Sequence, residues 1–253
     1  MWILILFFGM SILSVIAYKY FPVYITPLMV IRCCEQIKNS EKLKLKHEWK
    51  DLDDISEDMA VAVWASEDQR FIYHNGIDRE AIEKALEERR TKGRIRGAST
   101  ITQQTAKNVF LWPDASWLRK CLEAYFTILI ETFWDKHRIM EVYLNSIEMG
   151  NGIYGAEAVA REHFGCSAKD LTRQQCALIA ATLPNPRKYS SSTPSQYILK
   201  RQKWVLKQMR YLGNKFPSEE EIETLREVKR IKEKKKKEEK EKEEKEEKKK
   251  GNH

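Results

Sequence analysis

The sequence lacks the short motifs that identify several common enzyme classes. No HExxH, GxSxG, SxxK or KTG stretch occurs in its 253 residues, and a serine acyl-transfer domain is therefore absent. The five cysteines include no CxxC pair and no histidine spacing suited to zinc. Their number neither supports nor excludes an oxidising compartment. Strand-like alternation is also almost missing, so the sequence predicts a mainly α fold.

Positive charge is in excess, and it lies in the body of the chain. The net charge is +8, while the tail from Glu219 to Lys250 holds 14 basic and 13 acidic residues. A basic body suits an anionic partner such as nucleic acid, acidic lipid or a phosphorylated substrate. The tail is too polar to pack, so we expect a spacer, or a solvated helix with Glu/Lys pairs four residues apart.

The first 21 residues predict a membrane anchor. Trp2 to Ala17 carries no charge, and the apolar character continues past Lys19 to Phe21, which makes the segment just long enough to span a bilayer. The rival, a signal peptide, would need a basic start and a small-residue cleavage site, which this stretch lacks. The nearest charges, Lys19 and Arg32, follow the segment and by the positive-inside rule weakly place the body in the cytoplasm.

Residues 22–54 predict a membrane-proximal arm and linker. Pro22 and Pro27 interrupt the apolar stretch Tyr20–Ile31, which excludes a regular helix through it. We expect this stretch either to lie along the membrane surface or to pack on the domain as an extended arm. A polar linker, Glu35–Asp54, follows.

From Ile55 onward, helical periodicity and turn signals predict about eight helices. The expected N-caps are Asp78, Ser116 before the helix Trp117–Phe133, and Asp135 before the helix Lys136–Asn145. Thr172 and Gln175 predict a capping box. The expected helix ends are Gly165 after Ala156–Phe164 and Gly213 after Ser195–Leu212.

The stretch Ser66–Asp78, SEDQRFIYHNGID, is a candidate centre for chemistry. It places Glu67 and Asp68 at a helix end beside the aromatic Phe71. A carboxylate against apolar surface has a raised pKa, as a general base requires. The alternative is a solvated helix end without chemistry.

Two further stretches offer polar faces. In GASTITQQTAKNVF, a helix that starts near Ser99 puts Thr100, Gln104 and Lys107 on one face. Such a face suits a sugar or a pyrophosphate better than a core. In RKCLE, Arg119 and Glu123 are four residues apart and predict either a surface ion pair or a phosphate-binding arginine beside a carboxylate.

The glycines of KHRIMEVYLNSIEMGNGIYG match GxGxxG only formally. No βαβ unit surrounds Gly150, Gly152 and Gly155, so we interpret them as shaping a turn between helices. Glu141, four residues before Asn145, is expected to buttress the site.

Taken together, these stretches resemble the glycosyltransferase domain that polymerises peptidoglycan. EDQRFIYHNGID, GASTITQQTAKN, RKCLE and KHRIMEVYLNSIEMGNGIYG are similar to the family's first four motifs in order, and CALIAATLPNP to its closing stretch. Because transpeptidase signatures are absent, the chain looks like the monofunctional biosynthetic form. The resemblance implies a lysozyme-like, two-lobed domain over residues 55–213, with 214–253 as a charged tail outside the family pattern.

The resemblance also implies residue roles. Glu67 would be the general base and Glu123 the second carboxylate in an inverting polymerisation of lipid II into β-1,4-linked glycan. No cofactor is required, although a divalent cation (Mg²⁺ or Mn²⁺) on the pyrophosphate would have Glu123 and Asp68 as candidate ligands. The implied substrate-binding residues are Asp68, Phe71, His74, Ser99, Thr100, Gln104, Lys107, Asn108, Arg119 and Lys120, with Gly97, Glu141 and Asn145 as structural support.

The implied location is the bacterial inner membrane, with one transmembrane helix and the catalytic domain on the periplasmic side. This outweighs the positive-inside signal, because a single lysine is weak topological evidence. Expected partners are lipid II, the growing glycan strand, the membrane and other cell-wall synthesis and division proteins, but no nucleic acid. The alternatives are a catalytically silent membrane-anchored scaffold and a lytic glycosidase, which would not need the three cations Lys107, Arg119 and Lys120.

Overall fold

The computed structural model describes residues 2–93, 97 and 99–250, and in these residues the chain is mainly α-helical, as predicted. Ala98 of the second motif lies outside the described residues. Three short strands are β1 Lys46–His47, β2 Glu148–Gly150 and β3 Ile153–Tyr154. The helices of the described part are α1 Trp2–Tyr20, α2 Pro27–Lys38, α3 Glu57–Glu67, α4 Arg79–Lys92, α5 Ile101–Phe110, α6 Trp117–Phe133, α7 Lys136–Ser146, α8 Ala156–Phe164, α9 Arg173–Thr182, α10 Gln196–Leu212 and α11 Glu219–Lys250.

The helix starts predicted from capping side chains are confirmed. Asp78, Ser116 and Asp135 each accept a hydrogen bond from the backbone N–H three residues further on. Thr172 and Gln175 form the predicted capping box at the start of α9. These signals were readable because a cap is a contact between residues close in sequence.

Helix α3 is the buried centre of the domain. Its residues from Met59 to Ala65 are all buried, and the helix packs against α9 and α10. Helix α5 packs in turn against α6 and α7. A helix that is apolar on every side must be enclosed by its neighbours. The C-terminal end of α3, which carries Glu67, therefore lies inside the domain.

A small sheet is the part of the fold that the sequence did not predict. Its strand order is β1-β3-β2, with β1 parallel and β2 antiparallel to β3. The three glycines lie in the connection between α7 and α8, as interpreted, but this connection is the β2–β3 hairpin. At Gly152 φ is +67°, and a Cβ there would lie 2.2 Å from the carbonyl oxygen of Lys44. Only glycine fits such a position without strain.

The arm contains a helix where an extended segment was expected. Helix α2 begins at Pro27, and Thr26 caps it by accepting a hydrogen bond from the Met29 N–H. Proline is tolerated in the first turn of a helix, since its missing N–H has no helical partner there. Helix α2 packs on α5, and its last part occupies the start of the expected polar linker.

Helix α1 packs along α6. The indole N–H of Trp134 donates to the Val15 carbonyl at 2.8 Å, and the hydroxyl groups of Ser11 and Tyr125 lie 2.7 Å apart. Within the described residues, no helix combines the length and the apolar character that crossing a membrane requires.

Residues 217–253 form a second compact unit. Its described part contains α11, which confirms that the Lys/Glu tail includes a helix. Lys229 and Glu233, four residues apart, form an ion pair with a 3.6 Å separation.

Candidate active site

Glu67 ends α3 with a carboxylate that is largely shielded from solvent. Its side chain is 11% exposed. Gln104 Nε2 donates to Oε2 at 3.0 Å, Ser66 Oγ donates to Oε1 at 3.3 Å, and Arg201 Nη2 lies 4.0 Å from Oε1. Burial raises the pKa of Glu67, and these polar neighbours offset the rise only in part. A carboxylate with a raised pKa is suited to accept a proton near neutral pH.

Asp68, the second acid of the pair, serves the fold in this structure. One of its oxygens accepts a hydrogen bond from the Ile101 N–H at 3.1 Å, and His74 Nε2 lies 3.0 Å from the same oxygen. Phe71 is fully buried, and the His74 side chain is almost so. These three residues are therefore engaged in packing and hydrogen bonding within the fold, and their direct contacts with substrate stay a prediction.

Thr100 caps α5 instead of belonging to its polar face. Its hydroxyl accepts from the Gln103 N–H at 3.1 Å and donates to the Gly76 carbonyl at 2.6 Å. The helix begins two residues later than predicted, because Thr100 and Gln103 form a capping box there. Gln104 and Lys107 keep the expected face, while the Thr100 side chain is turned into the fold.

Gln104 connects the base to the rest of α5. Its Oε1 accepts a hydrogen bond from the Tyr143 hydroxyl at 3.2 Å, while its Nε2 contacts Glu67. Asn108, one turn further along α5, donates to the Gln104 carbonyl at 2.7 Å. Because both ends of its amide have partners, the Gln104 side chain is held in one orientation.

The cations lie around a second buried carboxylate. Glu123 is 3% exposed, accepts from Arg119 Nη1 at 2.5 Å and also bonds Lys120. The predicted pair of Arg119 and Glu123 is thus confirmed, and its burial excludes an ordinary surface ion pair. Burial lowers the pKa of the nearby Lys107; Glu123 opposes this shift, and the neighbouring cations, including Arg32, add to it.

Glu67 lines one cavity of about 220 Å³, and its hydrogen-bond partner Gln104 lines another of the same volume. The first is lined by Glu67 and other predicted residues, namely Asp68, Gly97, Ser99 and Thr100. The second is lined by Gln104, Lys107 and Asn108. Of the other predicted residues, Arg119, Lys120 and Glu123 line neither cavity and act on Lys107 through their charges.

Comparison with known proteins shows to which family the chain belongs. The model of the transglycosylase family matches residues 35–210. The chain belongs to the transglycosylase family. A biosynthetic peptidoglycan transglycosylase of Bacteroides thetaiotaomicron is 58% identical over 219 residues, which are 87% of this chain and 88% of that protein. One from Bdellovibrio bacteriovorus is 48% identical over 86% of this chain and 92% of its own length. The expected family and enzyme class are thus confirmed.

Glu141 and Asn145 of this transglycosylase support the segment before α3. Glu141 accepts from the Leu52 N–H at 2.9 Å. Asn145 is fully buried, accepts from the Lys50 N–H at 2.9 Å and donates to the Lys50 carbonyl at 2.8 Å. The two side chains therefore fix the entry to α3 and touch neither Glu67 nor a cavity lined by it.

Lys136 is a residue of the transglycosylase site that the sequence reasoning missed. It is 3% exposed, and its ammonium group bonds both oxygens of Glu131 and the His74 carbonyl. It also lies 4.4 Å from the ring centroid of Phe71. A positive charge in the first turn of a helix is disfavoured by the helix dipole. This unfavourable position was the sign in the sequence that Lys136 has an anionic partner.

Metal ligation does not fit the carboxylates of the transglycosylase as they stand. The oxygens of Glu123 face Arg119 and Lys120, and those of Asp68 receive hydrogen bonds. Among the described residues, one group of three potential ligands, Asp68, His74 and Asp78, comes within range of a common ion. Asp78 is already used as an N-cap and as a partner of Arg70. These donor atoms are engaged by protein groups, so the carboxylates do not fit a metal ion in this arrangement.

Proposed function

We propose that this chain polymerises lipid II into β-1,4-linked glycan, with inversion at the anomeric carbon and Glu67 as the general base. The observation that carries the proposal is the shielded Glu67 carboxylate with a raised pKa, which lines one cavity and bonds Gln104 of a second cavity that Lys107 also lines. The relatives named as biosynthetic peptidoglycan transglycosylases support the substrate class.

In the proposed reaction, Glu67 takes the proton from the 4-hydroxyl of the acceptor sugar. The hydroxyl oxygen forms a bond to the anomeric carbon of the donor, and the bond from that carbon to the pyrophosphate oxygen breaks. The electron pair leaves with the undecaprenyl pyrophosphate, so negative charge grows on the leaving group. Electrostatic stabilisation of this charge replaces the general acid of a glycosidase.

Lys107, Arg119 and Lys120 are the groups assigned to this stabilisation. Burial lowers the pKa of Lys107, and so does its proximity to Arg119 and Lys120, against the effect of Glu123. An anionic ligand relieves such crowding of positive charge, which favours pyrophosphate binding at this place. Glu123 keeps Arg119 and Lys120 in position through its two oxygens. This set of cations favours synthesis over the lytic alternative.

Attachment to the outer face of the cytoplasmic membrane through residues 1–21 belongs to the proposal. Large apolar side chains are exposed along α1, and Trp117 and Leu118 at the start of the adjacent α6 are 82% and 59% exposed. An apolar surface of this extent on one side of a protein favours contact with lipid. In this proposal, residues 22–54 form the membrane-proximal segment, 55–213 the two-lobed catalytic domain and 214–253 the tail.

The direct test is to incubate the detergent-solubilised full chain with fluorescent lipid II and to separate the products by size. A ladder that collapses under muramidase is expected from the wild type and from Glu57→Gln, which changes an exposed carboxylate at the other end of α3. No ladder is expected from Glu67→Gln. If the wild type gives no ladder but binds lipid II, the silent scaffold replaces the proposed enzyme.

A further inference from the structure

The cavity beside Gln104 contains charged residues for which the reaction described above has no use. Besides Lys107, its lining includes Arg32 from α2, Glu148 from β2 and Arg187 from the loop after α9. Three cations and one carboxylate leave the cavity lining with two net positive charges. A diphosphate diester carries a matching negative charge, and a guanidinium group binds phosphate oxygens through paired N–H donors.

Arg32 is only partly satisfied within the protein. Its Nη1 donates to Glu35 at 2.6 Å, but its Nε is buried without a hydrogen-bond partner. The nearest oxygen of Glu148 lies 3.7 Å from that Nε, which is too long for a hydrogen bond. A buried N–H without a partner is costly, and it is usually explained by an additional ligand or water.

Glu148 lies on the same wall and is also incompletely bonded. The residue is 7% exposed, and its Oε1 is buried with no hydrogen-bond partner. Burial raises its pKa, whereas the charges of Arg32 and Arg187 oppose this shift. Glu148 therefore lies within electrostatic range of both arginines, and its carboxylate leaves their N–H groups available to a ligand.

Arg187 approaches from a loop that contains prolines on both sides of Asn185. Pro184 and Pro186 also line the cavity, and their fixed φ angles restrict the loop. The Arg187 side chain is about half exposed, and its closest carboxylate, Glu35, is 3.9 Å away. By contrast, Arg119 and Lys120 are already bonded to Glu123. The guanidinium group of Arg187 is therefore more available to a ligand than these two cations.

We propose that Arg32 and Arg187 form, with Lys107, an anion-binding subsite for the diphosphate of the lipid-linked donor, and that Glu148 keeps the two guanidinium groups in place. This assignment rests on the proposed polymerisation of lipid II. It adds residues of α2 and of the loop after α9 to the phosphate-binding residues of α5 and α6. Because charge grows on the diphosphate as its bond to the sugar breaks, the arginines stabilise the transition state more than the ground state.

The test uses the full-length chain in detergent with Arg32→Gln and Arg187→Gln. Arg210→Gln, at an exposed position near the end of α10, is the matched control. Two probes are applied: inorganic diphosphate, by calorimetry, and fluorescent lipid II, by steady-state kinetics. We expect each cavity variant to weaken diphosphate binding about tenfold or more and to lower kcat/KM for lipid II by about 10- to 100-fold, mainly through kcat. Both cavity variants are expected to keep the melting temperature of the wild type. The control variant is expected to keep wild-type diphosphate binding and kcat/KM.

The outcomes separate this inference from the proposed function. Polymerisation by the wild type, with unchanged kcat/KM and diphosphate binding in both variants, overturns the subsite and leaves the proposed function standing. Weakened diphosphate binding with unchanged kcat/KM shows a site for the released product only, which overturns the assignment to the donor. If the wild type binds diphosphate through Arg32 and Arg187 but does not polymerise lipid II, the anion subsite stands and the proposed function fails.

Discussion

Replacing Glu67 with glutamine removes the proposed base while keeping its shape. The Gln104 N–H can still donate to the new side-chain oxygen, since the substitution is isosteric. General base catalysis contributes about 10²- to 10⁴-fold, or roughly 3 to 5 kcal/mol of transition-state stabilisation. We expect a loss of that size in kcat, with KM for lipid II changed by less than about threefold.

Stability should move in the opposite direction from activity. Burial raises the pKa of Glu67 in the folded state, so ionisation of this side chain lowers the stability of the fold as the pH rises above the ordinary value of 4.5. A neutral amide does not carry this penalty, although it weakens the hydrogen bonds with Gln104 and Ser66 and loses the attraction to Arg201. The variant is therefore expected to melt at the wild-type temperature or slightly above it. Unfolding of the variant would mean that the loss of activity has a structural cause.

The pH profile provides the sharpest readout of this prediction. For the wild type, kcat/KM should fall on the acid side with an apparent pKa above the ordinary 4.5 of a glutamate, because the base must be ionised to accept the proton. In Glu67→Gln, this acid limb should vanish from the residual activity. The measurement is lipid II turnover between about pH 4 and 9. A variant that keeps more than about one tenth of wild-type kcat, or the same acid limb, would refute the assignment of Glu67 as base.

Two further changes test the scaffold around the base. Lys136→Met leaves the Glu131 carboxylate buried without its cation, and we expect the free energy of unfolding to fall by about 3 to 5 kcal/mol in chemical denaturation; a loss below about 1 kcal/mol would show that water replaces the ammonium group. Gly155→Ala would bring a Cβ to 2.6 Å from the Asn145 carbonyl oxygen at φ +83°, and more than about 2 kcal/mol should be lost. The control is Gly165→Ala, where φ is +67° but nothing lies within 4 Å of the added Cβ, so only the backbone strain of about 1 kcal/mol applies. Equal losses in the two glycine variants would contradict the steric argument.

The sequence predicted helices and their caps because these depend on neighbours a few residues away. Ser116, Asp135 and the Thr172–Gln175 pair each satisfy N–H groups of the helix that follows them. The same locality made the pairing of Arg119 with Glu123 readable, since four residues bring two side chains to one helix face.

Features that depend on distant segments were out of reach. Strands of two or three residues are too short to show alternation, and β1 joins β3 from more than 100 positions away. Burial of Lys136 follows from its contact with the His74 carbonyl, which no periodicity encodes. Arg32 and Arg187 line one cavity because α2 packs on α5 and because the loop after α9 lines the same cavity.

The acidic pair Glu67–Asp68 illustrates how the fold assigns different tasks to adjacent residues of similar chemistry. Glu67 ends α3, where the carbonyl groups of the helix carry partial negative charge and disfavour another negative charge. Asp68 instead accepts the N–H of Ile101, the first residue of α5, where the helix favours an anion. The turn between them therefore places one carboxylate at the negative end of a helix and the other at the positive end of the next. The first is left able to take up a proton, while the second stays engaged in holding α5, and through it Gln104, against the base.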